Sequence, residues 1–555
     1  MKIRHLFKLD ILLLLLVFCM GCTKADAVQQ KVPEVVFTGS EPSAKAEEAQ
    51  AMEMEPAWKL HAEEPVTLDW YINFSWFTSA WGGNLVSDTI TRDTGVNVNF
   101  ITPAGNEAEK LNSLIASDAL PDVITLAWSE PQIGEMVSGD MVYALDELAD
   151  QYDPYWYQVA DPVTLDWYTQ KDGHIYAYPN CSYSPQDLKE HHNIGSNQTF
   201  LVRKDIYEAI GSPDMTTPEG FKAAIEKAVE LYPEVNGEPL IPFGLNEFDA
   251  SGNDSLDNYL LNFLSIPYEK DGKFYDRNVD EEFVRWLKTF RELGEAGYLA
   301  EDIFIDKRAQ MEEKIVDGRY FCMLFQRTDL ATQEKILYAE HPESVYIAVD
   351  GPRNFKGEDY RLPGTGINGW TVTLISKNCE HPERALELFS YMMSREGQRL
   401  IWLGVEGETW DYVDGIETMH PDVKELLARD RVQFDEQYGA DATYWMLMDN
   451  NMACDWAEPL PEPLGQMEAW TYPYVVDISA YEVSLPADSE EAKIQAKIDA
   501  EWSRVLPQLL LAESEEEFDQ LWNQFCQDRI RWGVKKVLDR KTILMNEAKE
   551  KLKVE

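Results

Sequence analysis

Val66-Thr67-Leu68-Asp69-Trp70-Tyr71-Ile72-Asn73-Phe74 decides how the rest of the chain is read. Its β-branched and aromatic residues predict a strand opening just after Pro65. Further strands are expected over 96–101 and 122–126, with helical stretches around 85–93 and 107–117 between them. Ala108, Leu111, Leu114 and Ile115 fall on one face of the second helix, and Gly95 is a natural stop for the first. Strand and helix alternating at these lengths predict an α/β fold built on a parallel sheet. In such sheets ligands bind outside the carboxyl ends of the strands, which directs attention to the segments following Phe74 and Leu126.

Both segments are rich in aromatics. The first runs Ser75-Trp76-Phe77-Thr78-Ser79-Ala80-Trp81-Gly82-Gly83 and the second Ala127-Trp128-Ser129-Glu130. Indole rings offer flat apolar faces that stack on the C–H faces of sugar rings, while amides and carboxylates satisfy the hydroxyls at the rim. Asn73, Trp76, Trp81, Trp128 and Glu130 are therefore the candidate ligand residues of a first lobe.

Outward from this segment the pattern continues. A strand is expected over 199–203, and Thr216-Thr217-Pro218-Glu219 has the form of a capped helix start with proline in the first turn. A helix over about 280–293 places Phe283, Trp286, Leu287, Phe290 and Leu293 at helical spacing, which is a core face. A helix near 310–316, strands over 320–325, 345–349 and 370–376, and a mainly helical remainder with stretches at 490–511 and 515–537 complete the reading. Candidate residues from the crossing and second lobe are Tyr178, Asn180, Asn246, Glu247 and Trp370, with Gln326 and Arg327 just past a strand end. Arg203 is added because it and Arg327 would supply positive charge if the ligand were a uronate.

The first twenty-two residues place the chain outside the cell. Lys2, Arg4 and Lys8 precede an apolar run over 11–20, too short for the roughly 20 residues that span a bilayer, and Met20-Gly21-Cys22 follows. This resembles a lipobox, in which Cys22 is lipidated and residues 1–21 are removed. From 23 to 64 Ala, Glu, Pro, Gln and Ser dominate without periodicity, which reads as a flexible tether.

Composition excludes several classes. With 99 acidic against 49 basic residues the net charge is −50, so a nucleic-acid partner is not expected. Beyond Cys19 and Cys22, five widely spaced cysteines (Cys181, Cys322, Cys379, Cys454 and Cys526) with no C-x-x-C indicate neither a disulfide framework nor a zinc site. His191-His192 lacks a third ligand at useful spacing. Gly364-Thr365-Gly366-Ile367-Asn368-Gly369 mimics a dinucleotide loop but precedes a strand where it would have to follow one.

Thr199-Phe200-Leu201-Val202-Arg203-Lys204-Asp205-Ile206-Tyr207 ahead of Pro218-Glu219, Gly369-Trp370-Thr371-Val372-Thr373-Leu374-Ile375-Ser376-Lys377 ahead of His381-Pro382-Glu383-Arg384-Ala385, and Ser394-Arg395-Glu396-Gly397-Gln398 occur in an order that resembles the extracellular solute-binding lipoproteins of carbohydrate ABC importers. The resemblance implies a two-lobed, hinged, periplasmic-binding-protein-like fold of type II, with an oligosaccharide clamped between the lobes. It also implies a membrane permease as partner, membrane contact through the lipid on Cys22, a monomer, no cofactor and no catalysis. It assigns 65–175 and 315–378 to the first lobe, and 176–314 and 379–555 to a second lobe with a helical extension. Larger relatives often carry an EF-hand-like calcium loop here occupied by 232–239, where only Glu234, Asn236 and Glu238 are suitable, so no metal is expected. Two other classes stay open: a secreted glycoside hydrolase, for which Glu130 and Glu247 are the only strand-end carboxylates, and a surface lipoprotein that senses or binds a protein partner.

Overall fold

A computed structural model describes residues 32, 35–191, 194–250, 252–457, 460–486 and 489–554. The expected signal segment, Cys22 and His192 lie outside the described residues.

Two sheets, each with its own core, form two lobes. In the first, Val96–Ile101, Val66–Ile72, Val123–Ala127, Thr371–Ile375 and Tyr178–Pro179 lie side by side in that order. The first three run parallel, as the strand–helix alternation requires, and Thr371–Ile375 runs antiparallel to Val123–Ala127. The second sheet has the order Tyr346–Ala348, Gln198–Arg203, Tyr320–Gln326, Ile241–Gly244, with the last two parallel. Helix Glu281–Glu295 buries Phe283, Trp286, Leu287, Phe290 and Leu293 against that sheet, as its periodicity requires.

The lobe boundaries differ from those the sequence suggests. Tyr320–Gln326 pairs with Gln198–Arg203 and Ile241–Gly244, so it belongs to the second sheet, and the chain returns to the first lobe only at Thr371–Ile375. Helices Pro382–Met393 and Arg395–Leu403 then pack in the first core beside Trp58 and Trp70. Local patterning shows that a strand exists but not which sheet receives it, because both sheets offer equally apolar neighbours.

The tether is also shorter than expected. Helices Pro42–Gln50 and Ala57–His61 are docked on the first lobe, burying Ala46, Ala49, Ala57 and Trp58. Trp58 meets the edges of Tyr155 and Tyr391, and His61 Nδ1 lies 2.7 Å from Glu387 Oε1, which Arg384 also holds. Apart from Trp58 the buried residues are small, Pro42 and three alanines, so the segment packs closely without the run of large apolar residues by which such faces are usually recognised.

The chain crosses between lobes three times, through 180–197, 364–370 and 448–463. The crossings join the carboxyl edge of the first sheet to the edge of the second where Phe325-Gln326 ends and Gln198 begins. The glycine-rich run rejected as a dinucleotide loop is the second crossing. Gly369 has φ +68°, and a Cβ there would stand 2.1 Å from the Asn180 carbonyl oxygen, so only glycine lets the first two crossings touch. Three C-terminal helices, Glu490–Leu510, Glu515–Trp532 and Val534–Leu552, cover the second lobe. The expected single helix over 515–537 is broken at Gly533, where φ is +103°. From the last helix Lys551 Nζ donates to the Trp167 and Thr169 carbonyls of the first lobe (2.8 and 2.9 Å).

Asp153 lies fully buried beneath the docked N-terminal helices and accepts from Ala57 N, and burial, aided by the Glu387 charge, pushes its pKa up to about 7. A carboxyl whose folded pKa is raised binds its proton more tightly in the folded state, so stability falls as pH rises from the ordinary carboxylate range to about 7. Urea titrations across that range should show Asp153→Asn losing less stability with rising pH than the parent chain. Parallel slopes would refute the assignment.

Candidate functional site

At the carboxyl edge of the first sheet three indoles converge. Trp76 follows the strand Val66–Ile72, Trp370 immediately precedes Thr371–Ile375, and Trp445 comes from a helical turn at Trp445–Leu447. Trp76 lies nearly parallel to Trp370, their ring centroids 5.9 Å apart and their planes 10° apart, and Trp370 and Trp445 are 4.5 Å apart. Phe74 backs the group at 5.4 Å from Trp76 and 5.5 Å from Trp370. Trp76 is 56% exposed and Trp370 39%, so a broad aromatic surface faces solvent at a sheet edge. Two apolar rings left open in a well-packed lobe are the signature of a surface that receives something.

Asn180 holds this surface in place. Fully buried, it donates from Nδ2 to the Trp445 carbonyl (3.0 Å), accepts at Oδ1 from Thr371 N (2.8 Å), and its own carbonyl accepts from Trp370 N (3.2 Å). Asn180, expected to meet ligand, is thus a positioning residue, because every polar atom of its side chain already has a protein partner. Trp445 had no sequence signal, since its neighbours in space are remote along the chain.

The other first-lobe candidates divide. Asn73 is 3% exposed and accepts at Oδ1 from the Tyr71 hydroxyl (2.9 Å), leaving its Nδ2 at the sheet edge. Glu130 is half-buried beyond Val123–Ala127, and burial together with the Glu107 charge raises its pKa. Glu107 accepts from Ser75 N (3.0 Å), beside Trp76. Trp128 sits half-buried at the strand end, its N donating to the Trp370 carbonyl. Trp81 does not join the surface: its Nε1 donates to Thr91 Oγ1 (2.9 Å) and its ring packs on Tyr444 at 4.9 Å, which makes it a support for the loop carrying Trp445. Tyr178 is likewise internal, its hydroxyl accepting from Asp161 N.

The second lobe contributes a recess of about 220 Å³ where Ile241–Gly244 and Tyr320–Gln326 end. Asn246, Glu247 and Gln326 line it as expected, joined by Tyr259, Asp254 and Arg308, which the sequence did not single out. Gln326 Nε2 donates to the Tyr259 hydroxyl (2.7 Å) and Glu247 Oε2 accepts from Arg308 N (3.2 Å). The two expected arginines are elsewhere. Arg327 is buried, donating to the Ser196 carbonyl (3.0 Å) and Glu468 (2.7 Å), and burial lowers its pKa against the opposing pull of Glu468. Arg203 binds Asp205 through two nitrogens and reaches the Gly318 carbonyl, so its charge is spent on the sheet margin.

Glu130 and Glu247 lie on different lobes, so they are not neighbouring strand ends of one barrel. The stretch 232–239 is a hairpin: Glu234–Val235 pairs with Glu238–Pro239 around Asn236-Gly237, both with positive φ, and both glutamates point outward. Among the described residues no group of three or more His, Cys, Asp or Glu could hold a metal ion. Cys181, Cys322, Cys379, Cys454 and Cys526 are free thiols.

If Asn180 positions and Trp76 only receives, their alanine variants should separate. Asn180→Ala leaves two buried groups, the Trp445 carbonyl and the Thr371 N–H, unsatisfied and should lower unfolding stability by about 2–3 kcal/mol, whereas Trp76→Ala should shift the unliganded melting temperature by only a few degrees, within about 0.5 kcal/mol as for exposed sites. Differential scanning calorimetry of both variants checks this, and a large loss in Trp76→Ala would contradict the exposed placement.

Known proteins share this fold. A curated relative, the fructooligosaccharide ABC transporter substrate-binding protein FusA of Streptococcus pneumoniae, is 25% identical over 232 residues, which are 40% of this chain and 42% of that protein's length. The structure of S. pneumoniae FusA with kestose superposes with a TM-score of 0.67 at 17% identity, covering 87% of this chain and all of that one. The alginate-binding protein AlgQ2 gives 0.65 at 18% identity (87% and 98%), and a solute-binding protein of Bifidobacterium longum infantis described as binding HMO gives 0.62 at 14% (87% and 99%). These likenesses establish the two-lobed fold. With residues 86–407 matching the family described as bacterial extracellular solute-binding protein, the chain belongs to that family.

Proposed function

We propose that this protein captures an oligosaccharide between its lobes and presents it to the permease of an ABC importer, held to the outer face of the membrane by a lipid on Cys22. The open, nearly parallel rings of Trp76 and Trp370, backed by the buried Trp445, carry the reading: they are seated by Asn180 and set at the sheet edge that faces the crossings. Stacked indoles of this kind match the C–H faces of consecutive sugar rings. Across the crossings, Asn246, Glu247 and Gln326 offer amide and carboxylate groups suited to hydroxyls. Structural neighbours also bind sugars: FusA is in complex with kestose, AlgQ2 is an alginate-binding protein, and the Bifidobacterium longum infantis protein is HMO-binding. Rotation about three crossings would bring the recess onto the aromatic surface, and the ligand would favour the closed state by touching both lobes.

The direct check is thermal unfolding of the chain from residue 23 onward with a panel of oligosaccharides and product analysis of the same samples. The docked helices at 42–61 are kept because they complete the first core. A ligand at a hundredfold excess over Kd should stabilise by about 2.7 kcal/mol and be recovered intact. Trp76→Ala combined with Trp370→Ala should weaken binding by about thirtyfold or more, the cost of a truncated anchor pair. Cleaved sugar, or undiminished affinity in the double variant, would overturn the proposal. Separately, Cys22→Ala should shed the protein into the medium with ligand affinity unchanged; retention on the membrane would count against the anchor.

A further inference from the structure

Charge around the cleft is lopsided in a way that bears on the ligand. In the second-lobe recess Arg308 has every nitrogen occupied: Nε contacts Glu312 (2.7 Å), one terminal nitrogen Asp329 (3.2 Å) and the other the Asp329 carbonyl (3.1 Å). Lys307 at the rim lies 3.5 Å from Glu247 and donates to the Phe248 carbonyl. Asp254 also lines the recess, and its pKa is raised by burial and by the charges of Asp249 and Asp329. On the facing lobe Glu107 and Glu130 stand at the sheet edge, and the charge acting on Glu130 is that of another carboxylate. Arg327 and Arg203, which a uronate would need, are committed to Glu468 and Asp205.

A second observation points the same way without involving carboxylates. Asn73 is nine-tenths buried at the edge carrying the indoles; Tyr71 occupies its Oδ1, and its Nδ2 has no acceptor among the described residues. An amide donor left open at the edge suits a ligand oxygen such as a sugar hydroxyl or ring oxygen, and the preference against charge comes from the rings around it. The indole faces beside it are electron-rich, so they attract C–H and ammonium groups and repel anions.

We propose, on the basis of the sugar-capture reading above, that this cleft selects by charge. It takes neutral or amine-bearing oligosaccharides and excludes those carrying carboxylate or sulfate. A negative group entering the recess would meet carboxylates on both lobes, while Arg308, Lys307, Arg327 and Arg203 are already engaged by acids or carbonyls.

The test uses the chain from residue 23 onward, equilibrated with an equimolar mixture of short neutral, amine-bearing and uronate oligosaccharides. The bound fraction is identified by mass spectrometry. Neutral and amine-bearing sugars should dominate, with uronates depleted by about tenfold or more as like charges require, and Asp254→Asn combined with Glu247→Gln should readmit them. Uronates bound on a par with neutral sugars would overturn the inference while leaving sugar capture intact. An empty bound fraction would overturn sugar capture. Fluorescence quenching then judges the charge separately, taking the emission lost in Trp76→Phe as the local signal. Stronger quenching by caesium than by iodide, relative to acrylamide, upholds a negative cleft, and equal or stronger quenching by iodide refutes it.

Discussion

The amide of Asn180 is the contact on which the cleft depends. One side chain ties the first crossing to the start of Thr371–Ile375 and to the carbonyl of Trp445. Those two attachments fix the positions of two of the three indoles. The contact requires that the second crossing approach the first without a side chain between them, which Gly369 provides. A buried amide whose nitrogen and oxygen are both engaged is stiff, because each alternative rotamer would strand polar groups in a dry environment. The aromatic surface is therefore preorganised, and little conformational entropy remains to be lost when a ligand arrives.

How much of this could be read from the sequence depended on the range of the interactions. Strands and helices were legible because their periodicity is local: 66–72, 96–101 and 281–295 fall where apolar spacing puts them. Trp76 and Trp370 were legible because a large ring beside a strand end has few other reasons to be there. Asn180, Trp81 and Tyr178 were placed near the right edge but in the wrong role, since only the folded chain shows that Trp445, Thr91 and Asp161 take up their polar atoms. Arg327 failed for the same reason, since it reaches Glu468 across 141 positions, whereas Arg203 is taken by Asp205 only two positions on, a local pairing that the sequence did offer. The lobe boundaries failed at Tyr320–Gln326, whose composition fits either sheet.

The molecule's large negative charge takes on a more specific meaning once its cations are located. Three cations beside the recess and the crossings, Arg308, Lys307 and Arg327, are held by neighbouring carboxylates or carbonyls. The excess charge is thus local as well as global, and it acts where field lines concentrate between low-dielectric walls. The aromatic surface and the acidic recess consequently divide the labour, one supplying contact area and the other polarity.

The docked helices at 42–61 have a mechanical consequence. With Phe37 packed on Tyr157 of the first lobe, only fourteen residues separate it from the proposed anchor at Cys22. Fully extended, that stretch spans at most about 50 Å. The receptor would then patrol a small disc of membrane at high local concentration, and delivery would be governed by how far permeases lie from one another in the bilayer.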